Sequence, residues 1–263
     1  MTTLELIATQ FVGTLTLRPY VFGFLAVFLL AASRDLGWAR AVRFLFWGGG
    51  VALAAELAST RVGVPFGLYH YTGETRGAEL FLSNVPFFSP LSFPFLAYAA
   101  FCLARVTFGP TWAASRGGRV RTVLASGVLM MLLDVVIDPL AVYGDRWFLG
   151  HIFDYPDGGL YFGVPLSNFL GWLLVGWATV GGFVWAGESA SGSPALGVSL
   201  YYVVLLVNLS ITLWIGEWFI GGVGIVVHLT VFLVLYAVSR VTVGRWSAQP
   251  LSVPVTSSGG PTS

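Results

Sequence analysis

Two carboxylates in an apolar part of the chain are the first residues that could do chemistry. Asp134 and Asp138 are four residues apart, and Pro139 follows directly. On a helix this spacing places both side chains on one face, about 6 Å apart along the axis. Two carboxyl groups this close in an apolar medium do not both ionise easily, so one should hold a proton and the pair should supply an acid beside a base. The alternative is that Asp138 ends the helix before Pro139 and that Asp134 alone is buried.

Two glutamates are further candidates. Glu56 follows an alanine-rich run, and Glu217 lies in the segment Trp-Ile-Gly-Glu-Trp. Each has a simpler interpretation: Glu56 could pair with Arg61, and Glu217 could be an exposed acid at a membrane surface, where tryptophan is frequent. His228 lies within a later apolar run and is interpreted as a structural histidine bonded to a neighbouring carbonyl.

An aromatic segment adds groups that could position water. Residues 65–71 read Pro-Phe-Gly-Leu-Tyr-His-Tyr, which is typical of a structured loop rather than a helix. The side chains of Tyr69, His70 and Tyr71 can orient a water molecule or a carboxylate. The alternative is a belt of aromatic side chains at the membrane surface, with no part in chemistry.

The composition predicts that all these groups lie within a membrane. The chain has 263 residues, of which 56% are hydrophobic and 10% are charged, whereas soluble domains carry about 25% charged residues. The net charge is +1, and all 13 basic residues are arginine, so no basic patch indicates nucleic-acid binding. The single cysteine, Cys102, excludes an intramolecular disulfide.

We predict an all-α, polytopic bundle of about seven transmembrane helices. One helical domain covers residues 1–246, and a disordered tail rich in Ser, Pro, Gly and Thr covers residues 247–263. Arg18 and Pro19 fall within the first span, so we expect that span either to start later or to be kinked, since proline disrupts a helix interior. The predicted spans are residues 11–33, 41–59, 90–108, 120–140, 164–186, 195–215 and 219–239.

Arginine distribution predicts the orientation of these spans in the cell membrane. Nine arginines fall on one side and four on the other, so the positive-inside rule places the N-terminus outside and the C-terminus in the cytoplasm. The loops 60–89 and 141–163 then share the outer side. Five polar residues from four separate spans fall in the same half of the membrane, and we expect them to converge: Glu56, Asp134, Asp138, Asn168 and Glu217.

The motifs of common cofactor sites are missing from the sequence. There is no phosphate-binding loop and no dinucleotide fingerprint. A prenyltransferase-like magnesium site uses aspartate-rich clusters helped by Lys or Arg. Here the Asp134/Asp138 pair stands without a second aspartate-rich motif, and the chain has no lysine. We therefore expect neither a metal nor another cofactor, and the pattern favours acid–base chemistry on an apolar substrate.

Several motifs in a fixed order resemble those of the carotenoid biosynthesis membrane protein family. This family includes the CruF-type carotenoid 1,2-hydratases and the archaeal bisanhydrobacterioruberin hydratases. The resemblance covers about residues 45–235, and it departs from the expected Trp-x-Trp where this chain has Arg146-Trp147-Phe148. The motifs are Glu56, the segment 65–71, Val85-Pro86, Asp134-x3-Asp138-Pro139 and Tyr161-Phe-Gly-Val-Pro-x2-Asn168-Phe-x-Gly-Trp172.

The resemblance implies addition of water to the terminal double bond of an acyclic carotenoid end, with lycopene or γ-carotene as substrate. Protonation of the alkene would give a tertiary carbocation, which aromatic faces can stabilise and which water then attacks. Asp134 and Asp138 are the predicted acid–base pair, with Glu56 beside them as a third catalytic carboxylate. Asn168, Tyr69, Tyr71, His70, Trp172 and Glu217 are the predicted groups for substrate and water.

Other functions remain open at this point. A carotenoid cyclase also begins by protonating this end group but needs no water, and a prenyltransferase would act in the same pathway. A carotenoid-binding or transport protein needs no chemistry at all. The expected partners are an apolar carotenoid, water and the lipid bilayer, without nucleic acid; the sequence indicates no protein partner.

Overall fold

The structure, a computed structural model, describes residues 2–187, 190 and 192–247, with side chains up to residue 241. Apart from Ser247, the predicted tail 247–263 lies outside the described residues. The described part is mainly helical, with no closed sheet, which confirms the predicted all-α bundle. The helices are α1 (Thr3–Leu17), α2 (Pro19–Asp35), α3 (Trp38–Val62), α4 (Phe88–Phe108), α5 (Arg116–Val142), α6 (Leu166–Trp185), α7 (Ala195–Trp214) and α8 (Trp218–Ser247).

Helices α3 to α8 are each long and apolar enough to cross a membrane, which makes this a multi-pass membrane protein. Helices α1 and α2 form a seventh candidate span that is bent by 88°. The predicted kink is therefore confirmed: Arg18 leaves helical geometry, and Pro19 starts the new helix, where its missing N–H is no loss. The orientation of the termini stays a prediction.

Because successive spans run in alternating directions, α2, α4, α6 and α8 begin at the end of the bundle where α3, α5 and α7 finish. We call this the loop end, since the long segments 63–87 and 143–165 lie there. Short strands connect these segments: β1 (His70–Tyr71) pairs antiparallel with β4 (Phe153–Asp154). The expectation that the two long loops share one side is confirmed. A second antiparallel pair, β2 (Phe81–Leu82) and β3 (Val85–Pro86), lies within the first segment.

Helix α4 is the centre of the bundle and contacts α2, α3, α5, α6, α7 and α8. Helices α5 and α6 lie especially close together. A Cβ atom added to Gly176 would come within 2.9 Å of the Gly127 Cα atom. Small residues permit this approach in membrane bundles, and it places the acids of α5 directly against the start of α6.

Of the two parts of the alternative for Asp138, the burial agrees with the structure, since Asp134 is fully buried and Asp138 is half-buried. Helix α5, however, does not end at Asp138, so that part is wrong. It continues through Pro139 to Val142. Pro139 has no N–H to donate to the carbonyl of Val135, and the Tyr161 hydroxyl donates to that carbonyl instead, at 3.2 Å. The helix therefore keeps Asp134 and Asp138 on one face.

Candidate active site

A buried amide joins the two aspartates. The Nδ2 group of Asn168 donates hydrogen bonds to Oδ2 of Asp134 at 2.7 Å and to Oδ2 of Asp138 at 2.6 Å. The indole N–H of Trp172 donates to the same Asp138 oxygen at 3.3 Å. Asp134 is fully buried, and its Oδ1 atom accepts no hydrogen bond from the described residues. The two carboxyls are thus held together by neutral donors.

The first turns of α6 position these donors. Asn168 is the third residue of the helix, and Trp172 follows one turn later on the same face. Gly171 lets the segment 63–69 pack against this turn, because an added Cβ would lie 3.0 Å from the Phe66 Cα atom. A larger residue at position 171 would push that segment away from the site.

A third carboxyl, that of Glu56, is held by a separate group of donors. Its Oε1 atom accepts hydrogen bonds from the Tyr71 hydroxyl, at 2.9 Å, and from Ser89. The two hydroxyl oxygens are 2.8 Å apart, so the three groups form a closed network. Pairing with Arg61 is not observed; Arg61 contacts Ser83 instead. The Oε2 atom of Glu56 is buried without a hydrogen bond from the described residues.

Tyr69 and Tyr71 lie in the loop after α3. Burial, followed by the nearby Glu56 charge, raises the pKa of both hydroxyls well above the usual value. Both therefore stay protonated at neutral pH, and Tyr71 remains a donor to Glu56. The Tyr69 ring packs edge-on against Tyr71 and Phe153, with centroid distances of 5.4 and 5.9 Å. This aromatic group covers the carboxyls from the loop end.

A cavity of about 170 Å³ lies beside these groups. Glu56, Asp138 and Asn168 face it, whereas Asp134 lies behind Asp138 and does not line it. Stacked rings of Phe93 and Trp172, 4.4 Å apart, form part of the wall. Most of the remaining lining is apolar: Tyr20, Val21, Phe24, Phe66, Tyr69, Tyr71, Phe88, Ser89, Ser92, Phe95, Leu96, Ile137, Ala141, Trp147, Phe148, Leu149, Ile152, Phe153, Tyr155, Val204, Val207, Asn208 and Ile211.

Besides Asp134, two predicted site residues lie outside the cavity lining. His70 is exposed on β1. Glu217 forms an ion pair with Arg146 in the loop after α5. His228 is bonded to the Leu132 carbonyl at 2.9 Å, as the structural interpretation expected. The residues that the structure brings together are Glu56, Asp134, Asp138, Asn168, Trp172, Tyr69 and Tyr71.

Sequence reasoning missed several polar groups at the cavity, among them Ser89 and Asn208. Ser89 lies in Phe-Phe-Ser-Pro, and Asn208 lies in an apolar run. No feature of the neighbouring sequence distinguishes Ser89 from an ordinary serine at the start of a helix, or Asn208 from an ordinary polar residue inside one. The approach of α3 and α4 gives Ser89 its contact with Glu56.

The helices and the cavity define a class: a polytopic membrane protein with a carboxyl-lined, largely apolar cavity. Residues 17–239 match the family model described as "Carotenoid biosynthesis protein", and the chain belongs to this family. A curated relative, the bisanhydrobacterioruberin hydratase of Haloarcula japonica, is 38% identical over 121 residues. That stretch covers 46% of this chain and 37% of the relative. No solved structure gives a significant match.

Proposed function

We propose that the protein is a carotenoid hydratase that adds water to the terminal double bond of an acyclic carotenoid end, giving a tertiary alcohol. The observation that carries the proposal is the placement of Asp138 and Glu56 on one largely apolar cavity inside a membrane bundle. Ionisable groups in such places are costly and are usually retained for function. The hydratase name of the Haloarcula relative supports water addition over other carotenoid chemistry.

The aspartate pair is the proton source. Asp134 and Asp138 share Asn168, and only Asp138 of the two faces the cavity. Two carboxyls held together in an apolar medium keep one proton between them. Asp138 delivers this proton to the less substituted alkene carbon, and the positive charge then lies on the carbon that carries two methyl groups.

Glu56 holds and deprotonates the water. Its Oε1 atom accepts from Tyr71 and Ser89, whereas Oε2 is buried and accepts no hydrogen bond from the described residues. Oε2 is the acceptor for water once the side chain turns toward the cavity. The water oxygen bonds to the cationic carbon, and its proton moves to Glu56. After product release this proton returns to the aspartate pair through water in the cavity, so the atoms balance as alkene plus water giving alcohol.

Aromatic faces stabilise the cation between these two steps. The cavity wall includes Trp172, Phe93 and Tyr69, and a cation within about 6 Å of a ring centroid is attracted by the ring quadrupole. The hydrogen bond from Trp172 to Asp138 fixes the indole next to the proton donor. The same residue thus positions the acid and supplies a face to the charge.

The test is expression of the chain in a lycopene-producing host, with pigments separated by chromatography and identified by mass. The expected product is a more polar pigment heavier by one water. Hosts that make γ-carotene and bisanhydrobacterioruberin extend the test to the other candidate substrates. An isomeric product of unchanged mass would indicate cyclisation, and unchanged pigments in all three hosts would contradict the hydratase proposal.

A further inference from the structure

We infer that the cavity opens sideways to the lipid beside α7, and that this opening holds the polyene chain while the reacting end lies at the carboxyls. The inference rests on the proposed function for the identity of the ligand, a long linear isoprenoid. The opening itself is argued from the size of the cavity, its lining and the exposure of that lining.

The cavity is too small for a whole carotenoid. Its volume is about 170 Å³, and a cavity of about 150 Å³ takes one molecule the size of benzene. A carotenoid is many times larger than benzene. One end group therefore fits beside Asp138 and Glu56, and the rest of the chain has to leave the cavity.

Helix α7 offers a wall along which the chain can leave. The lining residues Val204, Val207, Asn208 and Ile211 have the i, i+3, i+4, i+7 spacing of a single helix face. The one polar member, Asn208, donates its amide to the Val204 carbonyl of its own helix, at 2.9 Å. This bond satisfies one of its two amide hydrogens within its own helix. The other three members of the face are apolar and suit an apolar chain.

The exposure of Val207 points to the exit. This residue lines the cavity and is also 37% exposed. Its neighbours Val203 and Leu206 are exposed as well but do not line the cavity. Val207 lies seven residues before Trp214 at the end of α7, about 10 Å along the axis. The exit is therefore at a depth where hydrocarbon, not water, surrounds the bundle.

Aromatic contacts cover the alternative exit through the loop end. Phe148 contacts Tyr20 on α2, with ring centroids 5.6 Å apart, and Tyr155 contacts Tyr69 at 5.8 Å. Phe148 is itself exposed, but a polyene leaving past it would enter the polar membrane surface, which is unfavourable for apolar groups. Helices α2 and α7, which contact each other, therefore bound the favoured route.

Photo-cross-linking tests the exit without depending on catalysis. A benzophenone amino acid is placed at Val207, and in separate proteins at the lipid-facing controls Val203 and Leu206. Membranes containing lycopene are irradiated, and adducts are counted by mass spectrometry. We expect an adduct yield at position 207 that is several times the yield at either control. Equal adduct yields at all three positions would contradict the inference that the cavity opens to the lipid beside α7.

A blocking variant gives a second, functional readout. Val207→Trp should lower kcat/KM for the full-length carotenoid by at least about tenfold, while Val203→Trp stays within about twofold of wild type. Unchanged hydration by a folded Val207→Trp protein would also overturn the exit. If wild type hydrates no carotenoid yet position 207 still gives the excess adduct, the proposed function fails and the lipid-facing exit stands.

Discussion

Asp35 and Asp138 are both acids on helices of the bundle, but they lie at opposite ends and have different partners. Asp35, at the end of α2, forms a two-pronged ion pair with Arg105 near the end of α4, with Nη2 and Oδ1 3.1 Å apart. The Tyr98 hydroxyl donates a further hydrogen bond at 3.1 Å. Asp138 instead accepts hydrogen bonds from the neutral groups of Asn168 and Trp172.

We propose that this difference separates a structural acid, Asp35, from a reactive one, Asp138. A buried carboxylate beside a buried guanidinium is balanced in charge, and removing one partner is strongly unfavourable. Asp35 and Arg105 thus tie α2 to α4. Within the described part of the chain no ion pair involves Asp134, Asp138 or Glu56. In the proposed mechanism these acids exchange protons with the substrate, with water or with each other, which an acid balanced by a guanidinium, such as Asp35, could not readily do.

The largest expected effect is on activity at the unpaired acids. Asp138→Asn removes the proton donor but keeps a group that can accept from Asn168. We expect product formation per folded molecule to fall about 10²- to 10⁴-fold, the range for losing a general acid, without loss of thermal stability. Pigment chromatography on protein-normalised membranes measures the change. Activity above a tenth of wild type would remove Asp138 from the reaction.

The matched change at the other end should act on folding instead. Asp35→Asn leaves the Arg105 charge buried and unpaired, which typically destabilises by about 3–5 kcal/mol. Thermal unfolding of purified protein should show a large drop, while activity per folded molecule stays near wild type. The double variant Asp35→Leu, Arg105→Met should recover most of the stability. A stable Asp35→Asn protein without activity would reverse the assignment of the two clusters.

A pair of tyrosine changes refines the comparison. Tyr71→Phe removes one of the two donors to Glu56, and Tyr98→Phe removes one donor to Asp35. Because a hydrogen bond to a charged group contributes about 1.5–3 kcal/mol, we expect Tyr71→Phe to lower activity about tenfold or more. Tyr98→Phe should lower the unfolding free energy and leave activity unchanged. Equal effects on activity would show that the network around Glu56 has no special role.

The sequence was sufficient for six of the seven spans and for the convergence of the acids, because both follow from local features. The predicted first span, 11–33, is divided between α1 and α2. Hydropathy marks helices of membrane length, and alternation of direction places Glu56, Asp138 and Asn168 at one end of the bundle. The helical spacing of Asp134 and Asp138 was equally readable, even with Pro139 in the same helix.

Contacts between segments that are distant in the chain could not be predicted from local sequence features. Asp35 and Arg105 are 70 residues apart, and neither lies in a motif. The same holds for Ser89 and its contact with Glu56, which depends on how closely α3 approaches α4. Whether a buried acid is charge-balanced is decided by such packing. The sequence therefore identified the candidate acids but not the distinction between paired and unpaired ones.

Glu217 provides the smallest and most discriminating change. It lies at the same loop end as Glu56 but is bound by Arg146, whose side chain is 42% exposed. Exposed ion pairs contribute about 0–1 kcal/mol, so Glu217→Gln should leave thermal stability within that range and activity within about twofold. The sequence predicted a site role for Glu217 only because it lies at the same depth in the membrane as the other acids. A loss of activity comparable to that of Asp138→Asn would restore that role and would mean that the active site extends beyond the residues that line the cavity. No loss would show that the reactive acids are distinguished by burial without a cation and not by their depth in the membrane.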